Sequence, residues 1–332
     1  MTDSSPGQRR ASLADVASLA GVSSQTVSRV VRGSAVVAPA TRERVEQAIA
    51  QLEYRPNIAA RSLSQRRTGL VHIVSAAPLL HGHAQTFVEL VRALADRGYQ
   101  TSTSRSPTSK TTSSQGLVPL GVDGVVLLGG HSFAPYWAEV ANGSLPLVFV
   151  GGAESLPEQV SSVRVDQHTG GRLAGEHLLA RGCTSLLHLC GPADWIDARE
   201  RRDGFIKACE EAGARWRKLR CTSWEAGPAY EVAQSIPDDV DGVFASNDQI
   251  ALGAMRMLHE RGRRIPVDVA VVGFDDSMGA DCYWPPLTTV RQPFRQLAET
   301  AVEHLTTLIE SGEVHHTITK PELVVRQSTK GN

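Results

Sequence analysis

Short apolar repeats with helical spacing occupy the first fifty residues of the chain. The first repeat follows Ser12, and its apolar positions stand three or four residues apart, at Leu13, Val16, Ala17 and Ala20. Asp15 stands three residues after Ser12 and gives the outline of a capping box, while Gly21 is suited to end the helix. Ser23 can cap a second helix whose apolar side is Val27, Val30 and Val31, and a third helix is predicted after Pro39. Two short helices joined by a tight turn and braced by a third predict a helix-turn-helix.

From residue 70 the pattern changes to short apolar runs that alternate with longer amphipathic segments. One series contains the runs "LVHIV", "GVDGVVLL", "LPLVFVG" and "SSVRVD", and a second contains "SLLHLCGP", "DGVFASND" and "VAVVGFDD". Strands that alternate with helices predict an α/β fold with parallel sheets, and two series predict two doubly wound lobes. Such lobes bind ligands at the carboxyl ends of their strands. The stretch 101–116 is polar and weakly helical where a strand and a helix should be, so we expect a short or mobile edge there.

Composition adds expectations about location. No apolar run approaches 18 residues, so we expect no membrane span. The N-terminal segment lacks the apolar core of a secretory signal, which favours the cytoplasm. The five cysteines include no CxxC pair, so we expect isolated buried thiols in a reducing compartment.

The positive charge is concentrated in the predicted helix-turn-helix. Residues 1–67 contain ten arginines, no lysine and five acidic residues, whereas the remaining residues carry a net charge of −6. The outer side of the second helix presents Ser24, Gln25, Ser28 and Arg29, side chains that can bind base edges or phosphates. The alternative is a solvated face of a small three-helix bundle. Residues 54–69, taken alone, have the composition of a linker.

Residues 13–63 resemble the DNA-binding head of the LacI/GalR family of bacterial transcription regulators, through "DVASLAGVSSQTVSRV" and "TRERVEQAIAQLEYRPNIAARSL". The resemblance implies DNA contacts by residues of the second helix and the linker: Ser23, Ser24, Gln25, Thr26, Ser28, Arg29, Tyr54, Asn57, Ala60 and Leu63. It implies that the linker is a hinge helix that folds on operator DNA in a dimer, with Leu63 wedged into the minor groove. Ala38 stands where the family often has a serine cap, so we expect that phosphate contact to be missing.

Polar residues follow several predicted strands of the body. Asn247 with Asp248, and Asp275 with Asp276, stand at strand ends, and Arg201 lies near a helix start. Carboxylate, amide and guanidinium groups suit the hydroxyls of a sugar, and an indole such as Trp224 suits its apolar face. The alternative is that the Asp and Asn residues only cap the helices that follow.

The family resemblance extends through the body, most densely in "FASNDQIALGAMR", "VAVVGFDDS" and "CYWPPLTTVRQPF". It implies periplasmic-binding-protein-like lobes and an effector site formed by Asp197, Arg201, Trp224, Asn247, Asp275, Gln292 and Phe294. In that set Arg201, Asn247 and Asp275 would bind hydroxyls, and Trp224 would stack on the ring. Leu128 and Gly151 stand where a related sugar-responsive member has polar contacts, and Trp195 and Asp197 replace small hydroxyl residues. We therefore expect a sugar effector, without assuming a simple β-galactoside.

The expected organisation has three parts. Residues 1–54 form the head, 55–68 the hinge and 69–330 the two-lobed domain. Lobe one covers about 69–164 with 293–321, and lobe two covers about 165–292 with 322–330. No leucine heptad follows the last predicted strand, so we expect a dimer rather than a tetramer.

Other functions fit the sequence less well. A sugar-hydrolysing enzyme would need two carboxylates that flank one bond, whereas the side chains of the neighbouring Asp275 and Asp276 should diverge. A secreted sugar-binding protein shares the two-lobed fold but has no head. The histidines of HGH at 81–83 and HH at 315–316 fit scattered loop positions better than a metal site, and no cofactor is expected. We conclude that the sequence predicts a cytoplasmic repressor that binds a near-palindromic operator and a small sugar.

Overall fold

The computed structural model describes residues 11–31, 36–54, 67–76, 78–105, 117–130 and 145–329. The chain separates into two compact units, Met1–Thr68 and Gly69–Asn332, which are described in turn. None of the helices formed by the described residues combines the length and apolarity that a bilayer crossing requires.

The first unit contains three helices, α1 (Leu13–Ala20), α2 (Ser24–Val31) and α3 (Pro39–Gln51). The predicted capping box is present, because the Ser12 amide donates to Asp15 Oδ2 at 2.7 Å and the Asp15 amide donates to Ser12 Oγ at 3.3 Å. Gly21 ends α1 with φ of 63°, a left-handed conformation that glycine adopts without strain. Apolar residues from all three helices form one core, with Val16, Val27 and Val45 fully buried. The predicted helix-turn-helix is confirmed.

The second unit contains two six-stranded sheets, and we call the part built on each sheet lobe one and lobe two. In lobe one the strand order is β11-β5-β4-β3-β1-β2, and all pairs are parallel. Its strands are β1 (Leu70–Ser75), β2 (Gln100–Arg105), β3 (Gly124–Leu128), β4 (Leu147–Val150), β5 (Ser161–Val165) and β11 (His316–Thr319). Strands β3 and β4 are buried along their whole length, as expected for central strands of a sheet covered on both faces.

Lobe two has the strand order β12-β10-β9-β8-β6-β7. Only β12 runs antiparallel to its neighbour. The strands are β6 (Ser185–Cys190), β7 (Arg215–Arg220), β8 (Gly242–Ala245), β9 (Ala270–Asp275), β10 (Thr288–Arg291) and β12 (Glu322–Val324). The chain therefore crosses between the lobes after β5, after β10 and between β11 and β12.

The helices of this unit are α4 (His81–Asp96), α5 (Gln167–Ala180), α6 (Ile196–Glu211), α7 (Ala226–Ala233), α8 (Asp248–Glu260) and α9 (Phe294–Ser311). Helices α5 and α6 touch at glycines, since a Cβ at Gly171 would lie 1.9 Å from the Arg201 carbonyl oxygen and one at Gly204 would lie 1.9 Å from that of His168. This close packing fixes the start of α6, which carries Arg201, against the start of α5.

One expectation for lobe one was wrong in part. Residues 100–105 form the regular edge strand β2, paired with β1 from Leu70 and Gln100 to Ser75 and Arg105. The two ring nitrogens of the buried His72 lie 2.8 and 2.9 Å from Ser102 Oγ and Ser104 Oγ. These hydrogen bonds pair the serine hydroxyls on the inner face of β2. The periodicity of apolar residues cannot predict a strand that is held by polar side chains. Residues 106–116 lie outside the described residues.

The cysteines differ from the expectation at two positions. Cys190, Cys209 and Cys221 are buried free thiols, but Cys183 is half-buried and Cys282 is exposed. Burial raises the pKa of the Cys221 thiol to about 12, so that group is protonated at neutral pH.

Candidate functional site

The outer face of α2 carries the polar side chains expected to bind DNA. Ser24, Gln25 and Arg29 are exposed and Ser28 is half-buried, while Val27 and Val30 face the core. The Thr26 amide donates to Ser23 Oγ at 3.2 Å, so Ser23 caps the helix as predicted. The two hydroxyls of Ser23 and Thr26 also bind each other at 2.9 Å. The face therefore offers an amide, a guanidinium and hydroxyls at successive turns of a rigid helix.

The linker residues are placed differently. Tyr54 is 8% exposed and packs in the core of the head, and its contact with DNA stays a prediction. Asn57, Ala60 and Leu63 lie outside the described residues. Ala38 gives no side-chain hydrogen bond at the start of α3, in line with the expected loss of the serine cap.

Between the two lobes of the second unit lies a cleft that is partly open to solvent. All seven predicted effector residues line it: Asp197, Arg201, Trp224, Asn247, Asp275, Gln292 and Phe294. They come from the carboxyl ends of strands, from the start of α6 and from the crossover that precedes α9. The structure thus brings together residues that span almost a hundred positions of sequence.

Arg201 is the cation of the cleft and is only 4% exposed. Its Nε donates to Gln167 Oε1 at 2.8 Å, and its Nη1 donates to the Ser246 carbonyl oxygen at 2.6 Å. The guanidinium carbon lies 3.8 Å from the centre of the Phe274 ring, and Nη1 lies 3.7 Å from Asp275 Oδ1. These contacts hold the guanidinium plane in one orientation.

Asp275 and Asp276 face different partners. Asp275 lies in the cleft, where Gln292 Nε2 donates to its Oδ1 at 2.7 Å. Asp276 binds Arg291 at 2.7 Å and Arg326 at 2.6 Å. Both residues have positive φ, 106° and 56°, a turn that separates the two side chains. Two carboxylates pointing to different partners cannot flank one bond, so this pair does not form the acid–base arrangement of a glycosidase.

Burial raises the pKa of Asp275 to about 6, while the charge of Arg201 and the hydrogen bond from Gln292 oppose the rise. Burial also raises the pKa of Asp248, to about 7, and the charge of Asp275 adds to the effect. Asp248 accepts hydrogen bonds from Ser277 and Thr289, each at 2.6 Å, and so serves the structure of lobe two.

Asn247 acts as a helix cap. The Ile250 amide donates to Asn247 Oδ1 at 2.7 Å, and Asn247 Nδ2 donates to the Trp224 carbonyl oxygen at 3.1 Å. The capping alternative raised from the sequence therefore applies to this residue. Contact of Asn247 with an effector stays a prediction, which its position on the cleft wall permits.

Asp197 lies in the first turn of α6 and reaches toward the strand ends of lobe one. A Cβ at Gly152 would lie 2.7 Å from Asp197 Oδ1, and one at Gly130 would lie 3.4 Å from Oδ2, so these glycines leave room for the carboxylate. The Ile196 amide donates to the Gly130 carbonyl oxygen at 2.9 Å across the cleft. Oδ1 is buried without a hydrogen bond of standard geometry among the described residues. Burial raises the pKa of Asp197, while the charges of Arg201 and His83 and a hydrogen bond from the Gly152 backbone oppose the rise.

Aromatic rings form one wall of the cleft. Trp224 meets Trp195 edge to face at 5.6 Å, Trp195 meets His83 at 5.0 Å, and His81 meets Phe294 at 6.2 Å. Trp224 Nε1 is also buried without a hydrogen-bond partner among the described residues. The interpretation of HGH as loop histidines was wrong, because His81 and His83 begin α4 and line the cleft. Within the described ranges, no group of three or more His, Cys, Asp or Glu side chains is arranged to hold a metal ion.

Gln167 is a cleft residue that the sequence reasoning missed. It stands two positions after β5, at the carboxyl end of a predicted strand, and is 4% exposed. Asp275 was predicted because it lies at the carboxyl end of a predicted strand. The same criterion could have predicted Gln167. The two cleft histidines carried no comparable signal, because they do not directly follow a strand, and Trp195 was singled out only through the family resemblance.

Comparison with known proteins agrees with both units. Residues 12–57 match bacterial regulatory proteins of the lacI family, and residues 175–329 match a periplasmic binding protein-like domain. The HTH-type transcriptional regulator CelR of Thermobifida fusca is 38% identical over 97% of this chain and 99% of its own length. The lactose operon repressor of Escherichia coli K12 is 32% identical over 96% of this chain and 90% of its own.

Two solved structures resemble the whole chain. A CelR–cellobiose complex has a TM-score of 0.72 and 34% identity, and the alignment covers 96% of this chain and 100% of the other. The lac repressor dimer bound to operator and the anti-inducer ONPF has a TM-score of 0.83 and 31% identity, with coverage of 97% and 100%. The periplasmic-binding-protein-like lobes and the helix-turn-helix expected from the sequence are thereby confirmed. The chain belongs to the LacI family of bacterial regulatory proteins.

Proposed function

We propose that this protein is a sequence-specific transcription repressor whose affinity for operator DNA is set by a small sugar in the cleft. The main support for a sugar is Trp224 Nε1, a buried donor of a cleft-lining residue that has no hydrogen-bond partner among the described residues. A buried donor or acceptor left unpaired costs about 1–3 kcal/mol. A hydroxyl both donates and accepts, so a polyhydroxylated ligand can accept from this indole and donate to the carboxylates of the cleft.

The cleft chemistry supports a neutral sugar with an apolar face. Arg201 and Asp275 offer donors and acceptors for ring hydroxyls, Gln292 and Phe294 close one side, and the Trp224 indole suits the C–H face of a ring. Asp197 supplies a carboxylate in a region where the neighbouring strand ends, Leu128 and Gly151, offer no polar side chain. Because a similar regulator was solved with cellobiose, we propose a β-linked disaccharide as the first candidate.

The proposed DNA-binding set follows from the outer face of α2. Arg29 and Gln25 would read base edges, while Ser23, Ser24, Thr26 and Ser28 would contact phosphates or bases. Residues 1–54 would form the head, 55–68 a hinge with Asn57, Ala60 and Leu63 in the minor groove, and 69–330 the two-lobed domain, with the boundaries predicted from the sequence.

We also propose that the protein is a dimer and that it acts in the cytoplasm, where the DNA of a bacterium lies. One helix-turn-helix makes few contacts, so specificity needs two heads on a near-palindromic site. Regulation, rather than turnover of the sugar, fits the family and the diverging carboxylates of Asp275 and Asp276.

The test combines ligand screening with DNA binding. Thermal shift with a panel of mono- and disaccharides, cellobiose included, should identify a ligand that raises the Tm. Selection from random duplexes should identify the operator, and operator affinity should then change when that sugar is present. A protein that selects no duplex sequence would contradict the proposed repressor, and one stabilised by no sugar would contradict the proposed effector.

A further inference from the structure

Four buried side chains form a closed ring at the base of the cleft. Arg201 Nε donates to Gln167 Oε1 at 2.8 Å, and Gln167 Nε2 donates to Gln292 Oε1 at 2.9 Å. Gln292 Nε2 donates to Asp275 Oδ1 at 2.7 Å, and that oxygen lies 3.7 Å from Arg201 Nη1. All four residues are less than 8% exposed.

The hydrogen bonds of the ring all run in one direction, from Arg201 through the two amides to Asp275. A guanidinium can only donate and an ionised carboxylate can only accept, so the two amides between them must both donate toward Asp275. Charged groups at both ends polarise the two amide bonds and strengthen them. Each amide of the ring is therefore held in one orientation by its neighbours.

The ring also joins two of the crossovers between the lobes. Gln167 follows the crossover after β5, and Gln292 lies in the crossover after β10. Arg201 and Asp275 belong to lobe two and face the cleft. A displacement of either crossover must therefore stretch a bond that ends on a cleft-facing side chain.

We propose that Gln167 is a positioning residue that couples ligand contact at Arg201 and Asp275 to the relative position of the two crossovers. The inference rests on the proposed function, since the cleft ligand is taken to be a sugar. Gln167 suits this role because one amide group donates and accepts in opposite directions within a 4% exposed side chain. A carboxylate or an apolar side chain of the same size cannot do both.

Two variants separate the bonds of Gln167. Gln167→Glu keeps an acceptor for Arg201 but loses the donor to Gln292, and Gln167→Leu loses both. Gln234→Glu is the matched control, because Gln234 is an exposed glutamine in lobe two. Full-length protein is used throughout, and the Tm of each variant is recorded to verify folding.

The main readout is the ratio of operator affinities without and with saturating cellobiose. The wild type and Gln234→Glu should show a ratio that differs from one by at least ten-fold, and both Gln167 variants should fall below three-fold. The Kd for cellobiose should rise more in Gln167→Leu than in Gln167→Glu. A purely structural role would weaken cellobiose binding or lower the Tm but keep the ratio at saturation, and that result would overturn the proposal.

A second readout does not depend on the sugar. Amide hydrogen exchange in ligand-free protein should be at least five-fold faster at Arg291, Gln292 and Phe294 in both Gln167 variants than in the wild type. An unchanged rate would overturn the ring as a link between crossovers. A wild type that responds to cellobiose or to another sugar of the panel supports the function, and that sugar then serves for the affinity ratio. No response to any sugar contradicts the function, and the exchange rate then tests the role of Gln167 by itself.

Discussion

Asp275 differs from its neighbour Asp276 because the turn after β9 sends one carboxylate into the cleft and the other to two arginines. The burial that raises the pKa of Asp275 to about 6 makes its charge sensitive to pH just below neutrality. The groups that face it are Arg201, which favours the ionised form, and Asp197, which disfavours it. A bound hydroxyl that donates to the carboxylate also favours the ionised form.

Sugar affinity should therefore depend on pH in one direction. Since the ligand prefers ionised Asp275, affinity is fully present above about pH 7 and falls as pH drops through 6, by roughly four-fold between pH 7.5 and 5.5. Calorimetric titration at several pH values measures this. Asp275→Asn should bind more weakly and lose this dependence, so an unchanged pH profile in that variant would assign the titration to another buried carboxylate, Asp197 or Asp248.

Arg29 is expected to read a base. It is exposed on α2, one turn after Gln25, and its guanidinium matches the two acceptors of guanine. Arg29→Ala should cost about 1–3 kcal/mol of binding to the operator and little on random DNA. Gel-shift titrations with both duplexes measure this difference. An equal loss of affinity for the operator and for random DNA would show that Arg29 contacts only phosphate.

At the residue scale, side chains at strand ends could be predicted from the strand pattern, whereas Asp197 was predicted only through the family resemblance. Asp275 and Asn247 follow strands, and their positions were predicted from that alone. The reach of the Asp197 carboxylate depends on the missing Cβ atoms of Gly130 and Gly152 in the other lobe. The apolar pattern carries no information about such a contact.

Among the elements, α5 and α6 decide where Arg201 and Gln167 meet. Their axes approach closely because glycines replace larger residues at the contact, with Gly204 facing the His168 carbonyl oxygen and Gly171 facing that of Arg201. Contact through backbone atoms leaves little room for adjustment. The cleft geometry therefore depends on helix packing outside the cleft.

Gly204→Ala should destabilise the protein by about 3 kcal/mol, at the upper end of overpacking effects, because the new methyl group meets a backbone oxygen. Gly227→Ala is the control, since a Cβ there has no neighbour within 4 Å and the change should stay within about 1 kcal/mol. Urea unfolding of both variants measures the difference. Equal stabilities would contradict the tight helix contact.

Element order was predictable from the alternation of apolar runs and amphipathic segments, and the edges of the sheets were not. Strand β2 contains serines and threonines, and β7 contains four basic residues with Trp216 and Leu219. Edge strands have one open side and tolerate polar or charged residues, so apolar periodicity is weakest there. Hydrogen bonds such as those of His72 to β2 become visible only in the folded sheet.

At the scale of the whole molecule, lobe two exposes large apolar side chains between β9 and β10, and we expect them to take part in self-association. Met278 is 92% exposed and Trp284 is 89% exposed, on the same loop. Tyr283 Oη lies 3.5 Å from Gln249 Nε2, so this loop lies beside the start of α8. The partly exposed Leu252 lies about one turn after Gln249 on the same helix. Exposed apolar patches of this kind mark interaction surfaces.

Sedimentation should give a dimer at micromolar concentration for the wild type and a monomer for Trp284→Glu. The substituted side chain is exposed, so folding should be preserved and only the interface should lose apolar contact. Val267→Glu is the control, because Val267 is also exposed, at 67%, in lobe two. A dimeric Trp284→Glu protein would place the interface elsewhere.

The central claim is that a sugar in the cleft sets the affinity of the head for DNA, and it is tested most directly by operator Kd with and without saturating cellobiose. The wild type should show at least a ten-fold difference, within the range typical of coupling between two sites. Asp275→Ala should lose the response yet bind the operator without sugar within a few-fold of the wild type, while the exposed Asp203→Ala on α6 should respond normally. A full response in Asp275→Ala would contradict the account.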